Sequence, residues 1–234
     1  MLSVHDPEID AIYRQTVGKR ARTICVAAAN PGDGVTTFAL ALARRGAAGG
    51  VRTLLFDAEV TRASATTALG ASRARWSPDD PSLRNAVRPT EFAGLSVLPA
   101  PAGVEPIAFR DPDTLRRMFE NDLESFGLIV TDTSAIPTGS PFAIPAEVVA
   151  AACSVTLFVV LTGVTSERAL RVALERLQCA GATPCGVIMN DRFAPSIADE
   201  LCRQARRLER FAPGPAAWMQ RCIRRTSILN LQDG

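Results

Sequence analysis

The sequence predicts an α/β fold, a doubly wound and mostly parallel sheet between two helical layers. Three observations carry that prediction. Short apolar runs alternate along the chain with longer segments of helical pattern, the order that builds a parallel sheet with crossover helices. The runs are apolar throughout rather than at every second residue, as strands covered on both faces must be. The first run leads through a glycine-rich turn straight into an Ala/Leu-rich segment, the strand, loop and helix order that surrounds a phosphate with backbone N–H groups.

The first strand falls on residues 23–29 (Thr-Ile-Cys-Val-Ala-Ala-Ala), and after the turn a helix is expected over 36–46. A second strand follows at 52–56 (Arg-Thr-Leu-Leu-Phe). Residues 70–92 are polar and carry Pro78, Pro81 and Pro89, which reads as a surface excursion. A short strand at 95–98 and a proline-rich loop at 99–106 precede a helix over 112–124 and a strand at 127–131. A helix over 144–152, a strand at 155–161, a helix over 166–180 and a strand at 185–189 complete the pattern. In the 166–180 segment Leu170, Leu174 and Leu177 recur at spacings of four and three, one helical face. The chain then changes character. Residues 197–211 read as a basic amphipathic helix with Arg203, Arg206, Arg207 and Arg210. Pro213-Gly214-Pro215 breaks it, and a last helix is expected over 216–231 with Arg221, Arg224 and Arg225. The organisation expected is one domain over 1–190 and a helical tail over 191–234, packed on it or extending from it.

Composition narrows the function classes. At 234 residues the chain can bury one sizeable core, and 47% apolar with 21% charged residues are the proportions of a soluble globular protein. A net charge of +2 argues against a broad nucleic-acid surface, so no nucleic-acid partner is expected. Cys25, Cys153, Cys179, Cys185, Cys202 and Cys222 show no C-x-x-C spacing, and one histidine, His5, completes no zinc site with them. Buried free thiols in a reducing cytoplasm are expected instead. Residues 1–8 have neither a basic nor an apolar leader pattern. The longest apolar stretch, 143–161, is interrupted by Pro145 and Glu147 and does not read as a membrane span. Membrane association would need a partner or a surface helix.

Three motifs carry chemistry. The turn Asn30-Pro31-Gly32-Asp33-Gly34-Val35-Thr36-Thr37 has the elements of a phosphate-binding loop apart from its lysine. That lysine would stand immediately before Thr36, at Val35, with its ammonium reaching the β- and γ-phosphates. Lys19 is the single lysine of the chain; a coding bias toward arginine explains that scarcity but not the loss of a catalytic lysine. Gly32 and Gly34 permit close backbone approach to a phosphate, Thr36 stands where a hydroxyl binds Mg²⁺, and Thr37 can contact an α-phosphate. A strand–helix turn without ligand is the competing reading. The second motif, Asp57-Ala58-Glu59, leaves the end of an apolar strand, where carboxylates project into the ligand crevice of open α/β sheets. They can hold Mg²⁺ through water or orient a nucleophile, against the alternative of a capped, solvated strand end. The third, Leu128-Ile129-Val130-Thr131-Asp132, is a hydrophobic strand ending in a carboxylate able to reach a Mg²⁺ shell. Their order on successive strands is more specific than any one of them.

With these motifs the chain resembles the cytoplasmic domain of bacterial tyrosine kinases of the CpsD/CapB type, which belong with the MinD/ParA-like P-loop ATPases. Pro31–Thr37 matches the family's P-G-E-G-K-[ST]-T loop except at Val35. Asp57 to Arg62 is similar to its D-x-D-x-x-R motif, with Glu59 for the second Asp. Ile129 to Ala135 is similar to its hhhD-[ST]-P-P segment, without the two prolines. The segment 155–190, ending Gly186-Val187-Ile188-Met189-Asn190, resembles the family's late strand, helix and G-V-hh-N run. The resemblance spans about residues 10–190 and implies a P-loop NTPase-like sheet. It further implies Mg-ATP or Mg-ADP bound by residues 32–37, with Mg²⁺ held by Thr36, Asp57 and Asp132. Asp57 and Glu59 are the implied catalytic carboxylates if the protein is active. The partner implied is the cytoplasmic segment of a Wzz-like polysaccharide co-polymerase at the inner face of the membrane, with a homo-oligomer as a further implication. The family's C-terminal tyrosine cluster is missing, Tyr13 being the single tyrosine, and its E-x-x-R-x-x-R helix keeps Arg14, with Ala11 and Val17 at the flanking places.

Three functions are therefore expected in competition. The first is a catalytically degenerate kinase-like subunit supporting capsule or exopolysaccharide export. The second is an active ATPase or tyrosine kinase with a substitute cation from Lys19, Arg22, Arg44, Arg62 or a neighbouring protomer. The third is a MinD/ParA-like positioning protein whose basic tail meets the membrane.

Overall fold

The computed structural model describes residues 6–19, 21–80, 83–103, 106–192 and the single residue 214. The chain divides after Asn190 into two units. Apart from Asp191, Arg192 and Gly214, the second unit lies outside the described residues, and with it the helices expected over 197–211 and 216–231.

The first unit is built on a seven-stranded sheet: β1 (Thr23–Ala28), β2 (Thr53–Asp57), β3 (Arg88–Pro89), β4 (Leu95–Leu98), β5 (Leu128–Asp132), β6 (Val155–Leu161) and β7 (Pro184–Asn190). Their order across the sheet is β3-β4-β2-β5-β1-β6-β7. All pairings are parallel except that of the two-residue edge strand β3, which runs antiparallel to β4 and has no signal in the sequence. The helices are α1 (Pro7–Thr16), α2 (Val35–Ala48), α3 (Ser64–Ala68), α4 (Leu83–Ala86), α5 (Pro112–Arg117), α6 (Ala146–Ala152) and α7 (Glu167–Cys179).

The continuous apolar runs are explained by where alternate residues go. On β1, Ile24, Val26 and Ala28 pack with α2, whereas Cys25 and Ala27 join the cluster formed by residues of α5, α6 and α7. Leu55 and Leu54 divide in the same way on β2. Both faces are covered, so the strand needs apolar residues at every position, as the sequence predicts.

Helix starts follow local chemistry. Asp111 accepts hydrogen bonds from the backbone N–H groups of Asp113 and Thr114, with Pro112 at the first helical position. Ser166 accepts from Ala169 N at 3.2 Å. The helix expected over 112–124 is shorter: α5 passes into a π-helical turn, Met118–Asp122. Arg22, at the start of β1, donates to the carbonyls of Phe119, Leu123 and Phe126 at 2.9, 2.8 and 3.0 Å. The guanidinium thus takes carbonyls that a longer helix would have engaged itself.

One expectation is refined and one corrected. Most of the described residues of the 70–92 segment are exposed or half-buried, as a surface excursion requires, but the segment is anchored in the core. Trp76 is buried, meets Phe56 and Phe109 edge-on, and donates from Nε1 to Pro99 O at 2.8 Å. A bulky indole buries more apolar area than the flanking polar residues and prolines can outweigh. The thiols also differ from expectation: Cys25 is buried and Cys153 half-buried, but Cys179 and Cys185 are exposed. Cys179 ends α7, and Cys185 lies on the outermost strand β7, where apolar surroundings in sequence do not mean a covered face. Cys202 and Cys222 lie outside the described residues.

Candidate functional site

Because β1, β2 and β5 are parallel neighbours, their C-terminal ends lie on one edge of the sheet. The glycine loop leaves β1 there, Asp57 ends β2 and Asp132 ends β5, with Asp57 and Asp132 directly in register. The three motifs, 25 and 75 residues apart in sequence between Gly32, Asp57 and Asp132, therefore meet at one crevice.

The loop is set by its two glycines, at φ +93° for Gly32 and +112° for Gly34. A Cβ at Gly34 would also lie 2.6 Å from Nδ2 of Asn190. That amide donates to Asp33 O at 2.8 Å, tying the end of β7 to the loop. Asn190 is a site residue that the sequence shows only as the last letter of a resembling segment. The Asp33 side chain is buried, and its Oδ2 accepts from the Asn30 backbone N–H at 3.0 Å and from Asn30 Nδ2 at 3.4 Å. Its carboxylate shapes the loop from within. No side chain caps α2, whose first-turn N–H groups, those of Val35, Thr36 and Thr37, face the end where an anion would bind. The Val35 side chain is buried and belongs to the apolar cluster formed with Val26, Ala28 and Ala39.

Thr36 Oγ1 donates to Asp132 Oδ1 at 3.2 Å. The other oxygen, Oδ2, is buried without a hydrogen-bond partner. Burial foremost, then the Asp57 charge, pushes the Asp132 carboxyl well above the usual carboxylate range, and the Thr36 bond only partly opposes this. Asp57 is also pushed up by burial, but three donors counter it. Its Oδ2 accepts from Thr66 N and Thr66 Oγ1, both at 2.7 Å, and its Oδ1 accepts from Glu59 N at 3.1 Å. Glu59 turns back on its own loop, accepting from Thr61 N at 2.9 Å and Arg62 N at 3.1 Å. After Asp132, Thr133 Oγ1 donates to Val26 O, and at Ser134, the first of the two places without the resembling motif's prolines, Oγ donates to Ile144 O.

Among the described residues no group of three or more His, Cys, Asp or Glu side chains is placed to hold a metal ion. The donor set fits Mg²⁺ in another way, which needs few protein ligands when phosphate oxygens and water supply the rest. A hydroxyl and a carboxylate already in contact, with one carboxylate oxygen unpartnered, are Thr36 and Asp132.

The substitute cations fare unequally. Arg22 is spent on carbonyls at the opposite edge of the sheet, about 20 Å away by the rise of a six-residue strand. Arg44, nine residues into α2, is buried with its guanidinium 4.3 Å from the Phe92 ring centre. Arg62 remains near the site, its Nε 4.0 Å from Glu59 Oε2 and its side chain 59% exposed. The side chain of Lys19 lies outside the described residues. Arg14 pairs with Asp10 at 2.8 Å within α1.

No family model matches the chain. It is homologous to the tyrosine-protein kinase CpsD of Streptococcus pneumoniae, 27% identical over 183 residues that cover 75% of this chain and 78% of CpsD. Its fold is that of the kinase domain of the Escherichia coli tyrosine kinase ETK, with a TM-score of 0.64 and 19% identity over 80% of this chain and 73% of that one. The septum site-determining protein MinD of Pyrococcus horikoshii, solved with Mg-ADP, matches with a TM-score of 0.58 and 21% identity over 74% of this chain and 71% of that one. The fold is thus the P-loop NTPase fold shared by bacterial tyrosine kinases and MinD-like ATPases. Among the described residues no helix is long and apolar enough to cross a membrane.

Proposed function

We propose that this homologue of a bacterial tyrosine kinase is a nucleotide-binding but catalytically degenerate kinase-like subunit. It would support capsule or exopolysaccharide polymerisation and export through a membrane co-polymerase. The observation that carries this reading is the buried Val35 side chain at the place of the phosphate lysine, beside an intact Thr36–Asp132 pair. Thr36 and Asp132 would hold Mg²⁺, which supplies charge neutralisation to the phosphates when bound. The backbone of residues 32–37 would orient the phosphate chain. Among the described residues no fixed cation replaces that lysine to meet the charge that moves during phosphoryl transfer, and loss of one such electrostatic contact costs about 10²–10³ in rate. Asp57 and Glu59 are the catalytic carboxylates only if activity persists.

The partner in this reading is the cytoplasmic segment of a Wzz-like co-polymerase, which would recruit the protein to the inner face of the membrane. Self-association belongs to the same reading, as does a helical tail over 191–234 packed on the first unit or extending from it. Titration calorimetry with Mg-ATP and Mg-ADP, alongside a hydrolysis assay, tests it. Binding that is lost in Thr36→Ala, without turnover at ordinary kinase rates, is the expected result. Kinase-level turnover in the wild type, abolished by Thr36→Ala, would sink it.

One observation favours a second reading, an active kinase. Arg62 stands by the crevice in a loose, exposed pair and could turn toward phosphate. Tyrosine phosphorylation of an added substrate that Arg62→Ala abolishes would establish this reading in place of the first.

A further inference from the structure

We infer that the crevice selects a nucleoside diphosphate over the corresponding triphosphate. The inference rests on the nucleotide-binding reading above and concerns which phosphates the chain can hold. The two ends of a bound phosphate chain would meet different surroundings. The α- and β-phosphates lie against backbone N–H groups, and these depend on the Gly32 and Gly34 conformations rather than on a lysine. The lysine of such loops serves the β- and γ-phosphates together, but the β-phosphate keeps the backbone donors when it is lost and the γ-phosphate does not; here the side chain before Thr36 is an isopropyl group packed with Val26 and Ala28.

Among the described residues, none of the candidate cations offsets the loss. Arg22 and Arg44 are engaged elsewhere, and Arg62 faces Glu59. Three carboxylates, Asp57, Glu59 and Asp132, gather at the same edge, and Asp132 Oδ2 is buried without a partner. A third phosphoryl group therefore adds negative charge where the protein already concentrates it, and repulsion in a partly desolvated crevice is stronger than in bulk water. A Mg²⁺ held by Thr36 and Asp132 would serve the β-phosphate in either nucleotide, so it does not restore the preference for a third phosphate.

The test is calorimetric titration of the full chain with Mg-ADP and with a non-hydrolysable Mg-ATP analogue at one pH and salt concentration. The triphosphate should bind at least about tenfold more weakly, the size expected for one missing charge-assisted contact. In Val35→Lys the gap should close or reverse. Because a lysine at a buried position can disturb folding, Glu59→Gln provides a second arm, in which removing one negative charge should narrow the gap about two- to threefold. Equal or tighter triphosphate binding by the wild type overturns the selection and leaves nucleotide binding standing. Binding of neither nucleotide overturns the nucleotide reading itself.

Discussion

Asp57 and Asp132 end neighbouring strands in register, are the same residue type and are both without solvent exposure, yet their surroundings differ. Both oxygens of Asp57 are hydrogen-bonded: Thr66 gives two donors to Oδ2 and Glu59 one to Oδ1. Through Thr66, whose hydroxyl in turn accepts from Ala100 N at 2.9 Å, it fastens α3 and the segment after β4 to the end of β2. Asp132 has one 3.2 Å bond and one orphaned oxygen. A buried carboxylate with both oxygens hydrogen-bonded stabilises a fold, whereas one with an oxygen left bare is tolerated where a cation completes it. The difference at the same edge of the same sheet is what the proposed function builds on, with Asp57 bracing the fold and Asp132 offered to a cation.

The largest test of that contrast is Asp57→Ala. It strands two Thr66 donors and the Glu59 amide, so unfolding in urea should show a loss of about 2–4 kcal/mol. A loss well under 1 kcal/mol would erase the distinction. Asp132→Asn should act in the opposite direction, stabilising the metal-free protein by about 1 kcal/mol at a pH high enough to ionise Asp132, by removing an ill-compensated buried charge. The same variant should lose Mg²⁺-dependent nucleotide binding, read by calorimetry.

The pH dependence follows with a definite sign. Burial and the facing Asp57 and Glu59 carboxylates raise the folded-state value of Asp132 above its ordinary 3.8, with Thr36 opposing. The folded chain therefore keeps a proton that the unfolded chain releases from about pH 4 upward. Stability contributed by this group is present below that point and falls as pH rises toward the folded value. Metal-free denaturation curves taken upward from pH 4 should show this decline, and Asp132→Asn should flatten it. The smallest effect belongs to Glu59→Gln. Its oxygens cap their own turn and pair only loosely with the exposed Arg62, so stability should change by about 0.5 kcal/mol or less. A larger change would mean that Glu59 shares the structural role of Asp57.

Most of the sheet was legible because burial on both faces writes itself into sequence as unbroken apolar runs, with β4 and β6 falling on the expected residues. The glycine loop was legible because Gly32 and Gly34 occupy backbone angles that other residues avoid. Trp76 was missed, since one aromatic among polar residues gives no periodicity to read. The split between Asp57 and Asp132 was invisible for another reason: their partners, Thr66 and Thr36, lie 9 and 96 residues away in sequence. Asn190 reaches Asp33 across 157 residues, a closeness created by the strand order alone.

The sequence by itself determined the α/β alternation, the phosphate-type loop and the absence of its lysine, because these are properties of local residue type and spacing. Tertiary structure decided which carboxylate is spent and which is open, that Val35 is packed rather than presented, and that Arg22 and Arg44 cannot serve as substitutes. Those outcomes depend on which strands become neighbours, and hydrogen-bond partners and burial are fixed only when the sheet is assembled.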